Sequence, residues 1–250
     1  MKLEVLLSVM NYKFKDLDKH NITCDCTVIN QCDNNSFKKY KNFKIYNYNE
    51  HGLSKSRNRG LEHITNDIVL LCDDDVIYNS DYENIILNEF KNNAKADVIV
   101  FNIESPYRTY KMNTKSKRLY FYNILRYTST RIAFKKNKVQ NIKFNEKFGS
   151  GAKYSSGEDS VFLIDCLKKG LKVYSSERYI AKVYQKESKW FNGYNKKYFF
   201  DKGAVYTEIS KPFRHLLFIQ HLIRHHSELS DLSFGQAYKE MCNGAKDYLK

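Results

Sequence analysis

Five short runs constrain the fold of this 250-residue chain more than any other feature: "EVLLSVMN" (4–11), "CTVIN" (26–30), "FKIYNY" (43–48), "DIVLLC" (67–72) and "ADVIVFNI" (96–103). They are rich in β-branched and aromatic residues, and several are apolar almost throughout, as strands covered on both faces are. Between them, "LSKSRNRGLEHI" (53–64) and "SDYENIILNEFKNN" (80–93) have helical spacing. In the second, Ser80 or Asp81 fits an N-cap, and Ile85, Ile86, Leu87 and Phe90 form the inward stripe. Strand–helix–strand alternation at this spacing predicts an α/β fold with a mostly parallel, doubly wound sheet.

In such sheets ligands bind outside the carboxyl ends of the strands. Asp73, Asp74 and Asp75 follow "DIVLLC" directly; Asn11 follows the first strand, and Asn30, Gln31 and Asp33 follow the second. Polar groups are therefore expected on one rim. After residue 104 the pattern weakens through a basic, Tyr-rich stretch, "YRTYKMNTKSKRLYFYN". "GEDSVFLIDCLKKG" (157–170) regains helical spacing, with Val161, Ile164 and Leu167 or Leu171 inward and Gly170 at its C-terminus. "LKVY" reads as a strand after it. "KPFRHLLFIQHLIRHH" (211–226) is an amphipathic basic helix, and "AYKEMCNGAKDYLK" adds a short one. No linker composition or internal repeat interrupts the chain, which predicts one continuous domain with a C-terminal helical appendage.

The formal charge of +14 favours anionic partners such as nucleic acid, a membrane face or phosphorylated substrates. The six cysteines show neither CxxC pairs nor the density of a disulfide scaffold, and Cys72 and Cys166 fall within apolar patterns, as buried thiols do. The N-terminal apolar stretch is too short and interrupted for a signal peptide, and no run is long enough to span a bilayer, so a cytoplasmic protein is expected.

Three consecutive carboxylates at the end of an apolar strand repel one another unless solvent or a cation offsets them. Asp73-x-Asp75 has the form a hard divalent ion takes, with one or two carboxylates and the remaining positions filled by water and substrate phosphate. It also has the form of a polar turn closing a strand. "SSGEDS" (155–160) places acids at a helix start, where they serve as ordinary first-turn residues or as a general base on a rigid element. "NEHGLSKSRNRG" (49–60) opens a helix with a Gly turn and early Arg and Asn, a fair phosphate or nucleotide contact. It has neither phosphate-loop nor GxGxxG spacing.

Taken in order, a first strand ending "SVMN", a second ending "VINQCDNNS", N-x-x-G-x-x-x-[SA]-R-N-x-G, an apolar strand into DxD, and G-E-D opening a later helix resemble the inverting glycosyltransferases of family two. "SKWFNGYNKKYFFDKG" (188–203) is similar to bacterial members that build capsule, O-antigen or exopolysaccharide repeats. The resemblance implies the Rossmann-like GT-A fold, a catalytic domain over 1–205 with a nucleotide half (1–103) and an acceptor half (104–205), and an appendage over 206–250. It implies a UDP-sugar donor held by Val9, Asn11, Asn30, Gln31, Arg57, Asp73 and Asp74, with Arg57 bracing the uracil pocket. Mn²⁺ or Mg²⁺ would sit on Asp75, helped by Asp73, and Asp159 would be the general base with Glu158 beside it. Trp190 and Phe191 would stack on the sugar of a glycan acceptor, or else pack in the core.

The implied acceptor is linked to polyprenyl diphosphate, with the enzyme peripheral at the inner face of the plasma membrane and no role for nucleic acid. The 211–226 helix then either lies on anionic lipid or packs over the domain. Two departures stand out: Asn30 and Gln31 replace an acid pair common in the family, and Lys182 stands where some relatives place a His near the metal. A nucleic-acid binder would explain the charge but has no use for two acidic elements on a ligand rim. A haloacid-dehalogenase-type phosphatase usually carries its DxD on the first strand, and a nucleotidyltransferase needs a Gly-rich loop that "SVMNYKF" lacks.

Overall fold

The computed structural model describes residues 1–184, 191, 193–229 and 232–250. In chain order its elements are β1 (Leu3–Met10), β2 (Asp25–Gln31), β3 (Ser36–Tyr40), β4 (Phe43–Tyr48), α1 (Leu53–His63), β5 (Ile68–Cys72), β6 (Val76–Tyr78), α2 (Tyr82–Asn92) and β7 (Val98–Glu104). There follow β8 (Lys117–Arg118), β9 (Ile132–Lys135), α3 (Lys136–Val139), α4 (Glu158–Lys168), β10 (Val173–Val183), α5 (Lys196–Ile209), α6 (Arg214–Arg224) and α7 (Phe234–Leu249).

All the strands join one sheet in the order β3-β4-β2-β1-β5-β9-β7-β10-β6, with β8 paired to β10. The block β4-β2-β1-β5 is parallel. From β1 the chain steps outward to β2 and β4, then crosses back to β5 on the other flank of β1. The strand order thus reverses between β1 and β5, which opens a crevice at their carboxyl ends. Asn11 leaves one of these strands and Asp73 the other.

Side chains along a strand alternate between the sheet's faces, and here both faces are covered. Leu3, Val5, Leu7 and Val9 of β1 join Ile68, Leu70 and Cys72 of β5 in one core with Tyr82, Ile86 and Phe90 of α2. Leu6, Val69 and Leu71 point the other way, onto Val161, Phe162 and Ile164 of α4. That two-sided burial is why the strand runs read as nearly unbroken apolar segments. On α2 the stripe is narrower than expected: Ile85 and Leu87 are only half-buried, and Tyr82 completes the inward face.

Four elements differ from the sequence reading. β3 is exposed along its whole length and pairs antiparallel with β4 as an edge strand, so no apolar pattern marks it. β9 inserts antiparallel between β5 and β7 and makes the sheet mixed. β10 extends the expected "LKVY" to 11 residues, with register shifts along its pairing to β7.

The last difference is at the C-terminus, where α7, packed against α5, is 16 residues long and not short. With α6 these helices enclose a third core of Phe199, Phe218, Leu222, Ala237 and Met241. The backbones of α5 and α7 touch: a Cβ on Gly203 would fall 1.9 Å from the Met241 carbonyl oxygen, and one on Gly244 1.8 Å from that of Phe200.

Candidate active site

Helix α1 is polar for a helix packed on a sheet, and its side chains have specific partners. Ser56 Oγ donates to Ser8 Oγ on β1 at 2.9 Å. Asn58 exchanges two hydrogen bonds with the Phe144 backbone, Nδ2 to the carbonyl at 2.9 Å and Oδ1 from the N–H at 2.8 Å. Ser54 Oγ donates to the Phe148 carbonyl at 2.7 Å. Gly60 lies where a Cβ would sit 2.5 Å from Leu6 of β1. These contacts wedge α1 between β1 and the 144–150 segment, and they fix the direction of Arg57.

Arg57 is 1% exposed and meets three carboxylates. Its Nη1 lies 2.7 Å from Asp159 Oδ1 and 3.5 Å from Glu158 Oε1, and its Nη2 lies 3.2 Å from Asp73 Oδ1. Ser129, on a 3₁₀ turn over Ser129–Arg131, closes the same ring. Its N–H donates to Asp159 Oδ2 at 2.9 Å and its Oγ to Asp73 Oδ2 at 2.9 Å. Burial opposes the Arg57 charge, but Asp159, Asp73 and Glu158 more than offset it and hold the guanidinium protonated. Where the resemblance implied a brace for uracil, the structure shows Arg57 turned onto the acids.

Asp159 enters on the first turn of α4. The preceding Gly157 has φ +104°, a left-handed conformation, and a Cβ there would meet Val205 of α5 at 2.5 Å. Burial and the neighbouring Glu158 and Asp73 push the Asp159 carboxyl up to about 7, against Arg57 and the Ser129 N–H. Each carboxylate oxygen has two acceptor positions, so the contacts from Arg57 and Ser129 leave room for a substrate hydroxyl to donate.

Asp75 stands in a different environment two residues beyond Asp73. Its carbonyl accepts the Tyr184 N–H at 2.9 Å. Beside it is a pocket of about 440 Å³ lined by Glu104, Arg108, Tyr110, Lys182 and Tyr184, among others. Burial, Asp73 and Asp74 raise the Asp75 carboxyl to about 6, with Arg108 opposing. A bound cation would reverse that repulsion.

The donor set fits a hard ion that shares its shell with a substrate. Asp73, expected as a second ligand, already has both oxygens engaged by Arg57 and Ser129. Among the described residues, no group of three or more His, Cys, Asp or Glu converges to hold an ion without help. Asp75 with exposed Asp74 would supply carboxylate, and phosphate oxygens and water the rest. Lys182, at the position noted for a His in relatives, pairs with Glu104 Oε2 at 3.7 Å on the pocket wall.

The remaining predicted residues divide. Asn11 sits at the switch point with φ +51°, its N–H bonded to the Gln31 carbonyl. Val9 is buried within β1, as expected, and Asn30 and Gln31 are buried within β2 rather than following it. Asn30 Oδ1 accepts the Tyr12 N–H at 3.0 Å and its Nδ2 donates to Asn47 Oδ1 at 2.8 Å, so its amide braces β1's exit against β4. Gln31 Nε2 donates to the Gly52 carbonyl at 3.1 Å. Phe191 is exposed and meets Tyr194 and Tyr198 edge-on, with ring centroids 5.2 and 5.6 Å apart. Trp190 lies outside the described residues.

Three residues join the site that sequence reading did not single out: Ser129, Arg108 and Lys202. Lys202 of α5 faces Glu158 and Asp159 and reaches Ser156 Oγ at 3.5 Å. Burial lowers its pKa, while Glu158, Asp201 and Asp159 favour the charged form. Its ammonium lies 5.4 Å from the centre of the Tyr198 ring, which links the aromatic cluster of Phe191 to the acids. No local pattern flags any of the three; only the fold brings them to the rim.

Comparison with known proteins bears on the family and the fold. A sequence model described as glycosyl transferase family 2 matches residues 27–152. No sequence among curated proteins matches. Of solved structures, Staphylococcus aureus TarS 1–349 in complex with UDP-GlcNAc is similar over 100% of this chain and 81% of that one, with a TM-score of 0.68 and 15% identity. Against a longer TarS chain the cover is 49% of that chain, with a TM-score of 0.66 and 16% identity. The mannosyltransferase PcManGT from Pyrobaculum calidifontis, in complex with GDP-Man and Mn²⁺, is similar over 99% of this chain and 75% of that one, with a TM-score of 0.57 and 12% identity. At such identities the likeness is one of fold.

Proposed function

Because the chain belongs to glycosyl transferase family 2 and has the GT-A fold, we propose that it transfers a sugar, with inversion, from a UDP-sugar to a hydroxyl of a glycan acceptor in the presence of a divalent cation. The observation that carries the reading is the bracket of Arg57 and Ser129. It ties Asp159, at the head of α4, to Asp73, which is two residues from Asp75. An acid suited to take a proton and an acid suited to hold a cation thus belong to one assembly at the switch point.

The acceptor oxygen attacks the anomeric carbon in line as the C–O bond to the diphosphate breaks. Asp159 accepts the hydroxyl proton, a role that contributes roughly 10²–10⁴-fold. A carboxyl with a pKa near neutrality suits it: deprotonated above pH 7, yet basic enough to take the proton as the bond forms. Arg57 and Ser129 hold the carboxylate in place, and Lys202 faces it from α5. When bound, the cation supplies Lewis-acid stabilisation of the charge growing on the departing diphosphate. Asp75 would hold it. The aromatic cluster of Phe191, Tyr194 and Tyr198 offers ring faces for an acceptor sugar on the side of Lys202.

Calorimetric titration with UDP, GDP and TDP, each with Mn²⁺ and with a chelator, tests the proposal on the wild type and Asp75→Ala. UDP should bind with the cation present, and bind far more weakly after chelation or in the variant. Failure of any nucleotide to bind, or binding indifferent to the cation, would overturn it.

A further inference from the structure

Helix α6 divides its apolar side chains between two directions. Phe218 and Leu222 turn inward to the core shared with α5 and α7, and Leu217 is half-buried. Leu216, Ile219 and Ile223 turn outward, joined by Phe213 just before the helix, and three of the four are more than 60% exposed. The outward residues fall at the helical spacing of one stripe. Exposed apolar residues scattered singly are ordinary; four on one helical face are not.

The charge within the run that carries this stripe is of one sign, and the acid that follows it, Glu228, is paired with His225. "KPFRHLLFIQHLIRHH" contains no Asp or Glu, and exposed Lys211 and Arg224 flank the apolar residues near its two ends. Arg214 is half-buried and donates to the Lys211 carbonyl at 3.0 Å. Among the described residues no helix is long and apolar enough to cross a membrane. An apolar face with a cationic rim on a non-spanning helix has the form that lies in the plane of a bilayer surface.

We infer that the outward face of α6 docks the protein on a membrane surface bearing anionic lipid headgroups. Phe213, Leu216, Ile219 and Ile223 enter the boundary between headgroups and acyl chains, and Lys211 and Arg224 meet the phosphates. Charge complementarity selects this occupant over a second copy. The chain carries a net +14, and pairing two α6 faces would bring cationic rims together. The inference goes beyond sugar transfer and bears on where it takes place. Buried His221 of α6 hydrogen-bonds Tyr206 at 2.9 Å and Tyr198 at 3.1 Å on α5, the helix that brings Lys202 to the catalytic acids. The lipid contact therefore lies one helix away from the acceptor side of the site.

Sedimentation of the whole chain with vesicles tests this, using phosphatidylcholine alone and phosphatidylcholine mixed with phosphatidylglycerol, at low and high salt. Binding is expected on the mixed vesicles, at low salt, with little on the neutral ones. Lys211→Gln with Arg224→Gln should weaken it roughly tenfold or more, and Leu216→Ser with Ile223→Ser by a comparable factor. All four side chains are exposed, so the thermal midpoint should not move. No binding to mixed vesicles, equal binding to neutral ones, or a dimer in light scattering that Leu216→Ser with Ile223→Ser abolishes would overturn the inference. Nucleotide titration of the same variants separates the two proposals, since UDP affinity should be unchanged whichever way the vesicle result falls.

Discussion

Arg57 and Asp159 form a buried ion pair, Nη1 to Oδ1 at 2.7 Å, across 102 residues of sequence. The same guanidinium reaches Asp73 with its other nitrogen at 3.2 Å. A rigid fork on α1 therefore spans the acid after β5 and the acid at the head of α4. Without it, Asp73, Glu158 and Asp159 would face one another with no guanidinium between them, offset by Lys202 beside Glu158 and Asp159 and by the Ser129 hydrogen bonds.

This predicts different outcomes for two substitutions of Arg57. Arg57→Ala removes the partner of a buried charge cluster and should cost about 3–5 kcal/mol of stability. Arg57→Lys keeps the charge and should recover most of the fold, but one ammonium cannot fork to two carboxylates. Its transfer rate should stay about 10- to 100-fold below wild type. Thermal unfolding and initial rates measured together separate the two effects. Wild-type turnover in Arg57→Lys would show that the fork is not needed.

The raised pKa of Asp159 sets the sign of a pH profile. The base works deprotonated, so kcat/KM should rise with pH through about 7 and level off above. Asp159→Asn should lose the limb and about 10²–10⁴-fold of transfer, while its affinity for UDP with Mn²⁺ stays near wild type. A profile flat from pH 5.5 to 9 would remove Asp159 from the role of base.

Lys202 makes a prediction that a purely structural lysine would not. Its ammonium favours the ionised form of Asp159, so Lys202→Met should raise the pKa of the base further. The rising limb should move to higher pH by about one unit, lowering transfer at pH 6 about tenfold and much less at pH 9. An equal loss at every pH would assign Lys202 to packing instead.

Much of this frame was readable because particular residues carry unusual costs. Strands such as "DIVLLC" are apolar on both sides only if both faces are covered, and they are. Asp75 at the end of such a strand, and Asp159 two residues after Gly157, are acids where burial penalises the charged form. The ties between these elements had no local sign. Arg57 finds its partners 16, 101 and 102 residues away, and Ser129 lies in a stretch with no clear periodicity. Asn30 looked like a ligand group because of its place at a strand end, but its amide is used to hold β1 to β4. On α6 the spacing revealed an apolar helix, while its division into a packed and an exposed face depends on where α5 and α7 lie.

The contact between α5 and α7 gives the last prediction. At Gly203 and Gly244 the two backbones leave no space for a methyl group, since the added carbon would sit within 2 Å of a carbonyl oxygen in each case. Neither oxygen can rotate aside as a side chain would, so the helices must separate. Gly203→Ala should cost about 3 kcal/mol and lower the melting temperature by roughly 6–12 °C. Gly244→Ala acts on the same interface from the other helix. Once α7 has shifted for one methyl group the second meets less resistance, so the double variant should fall short of the sum. Gly235, also on α7, has open space around its Cβ position, and Gly235→Ala should be neutral or stabilise by about 0.5–1 kcal/mol. Calorimetric melting of the four variants decides the matter: full additivity, or a Gly203→Ala midpoint equal to that of Gly235→Ala, would mean that the helices do not meet backbone to backbone.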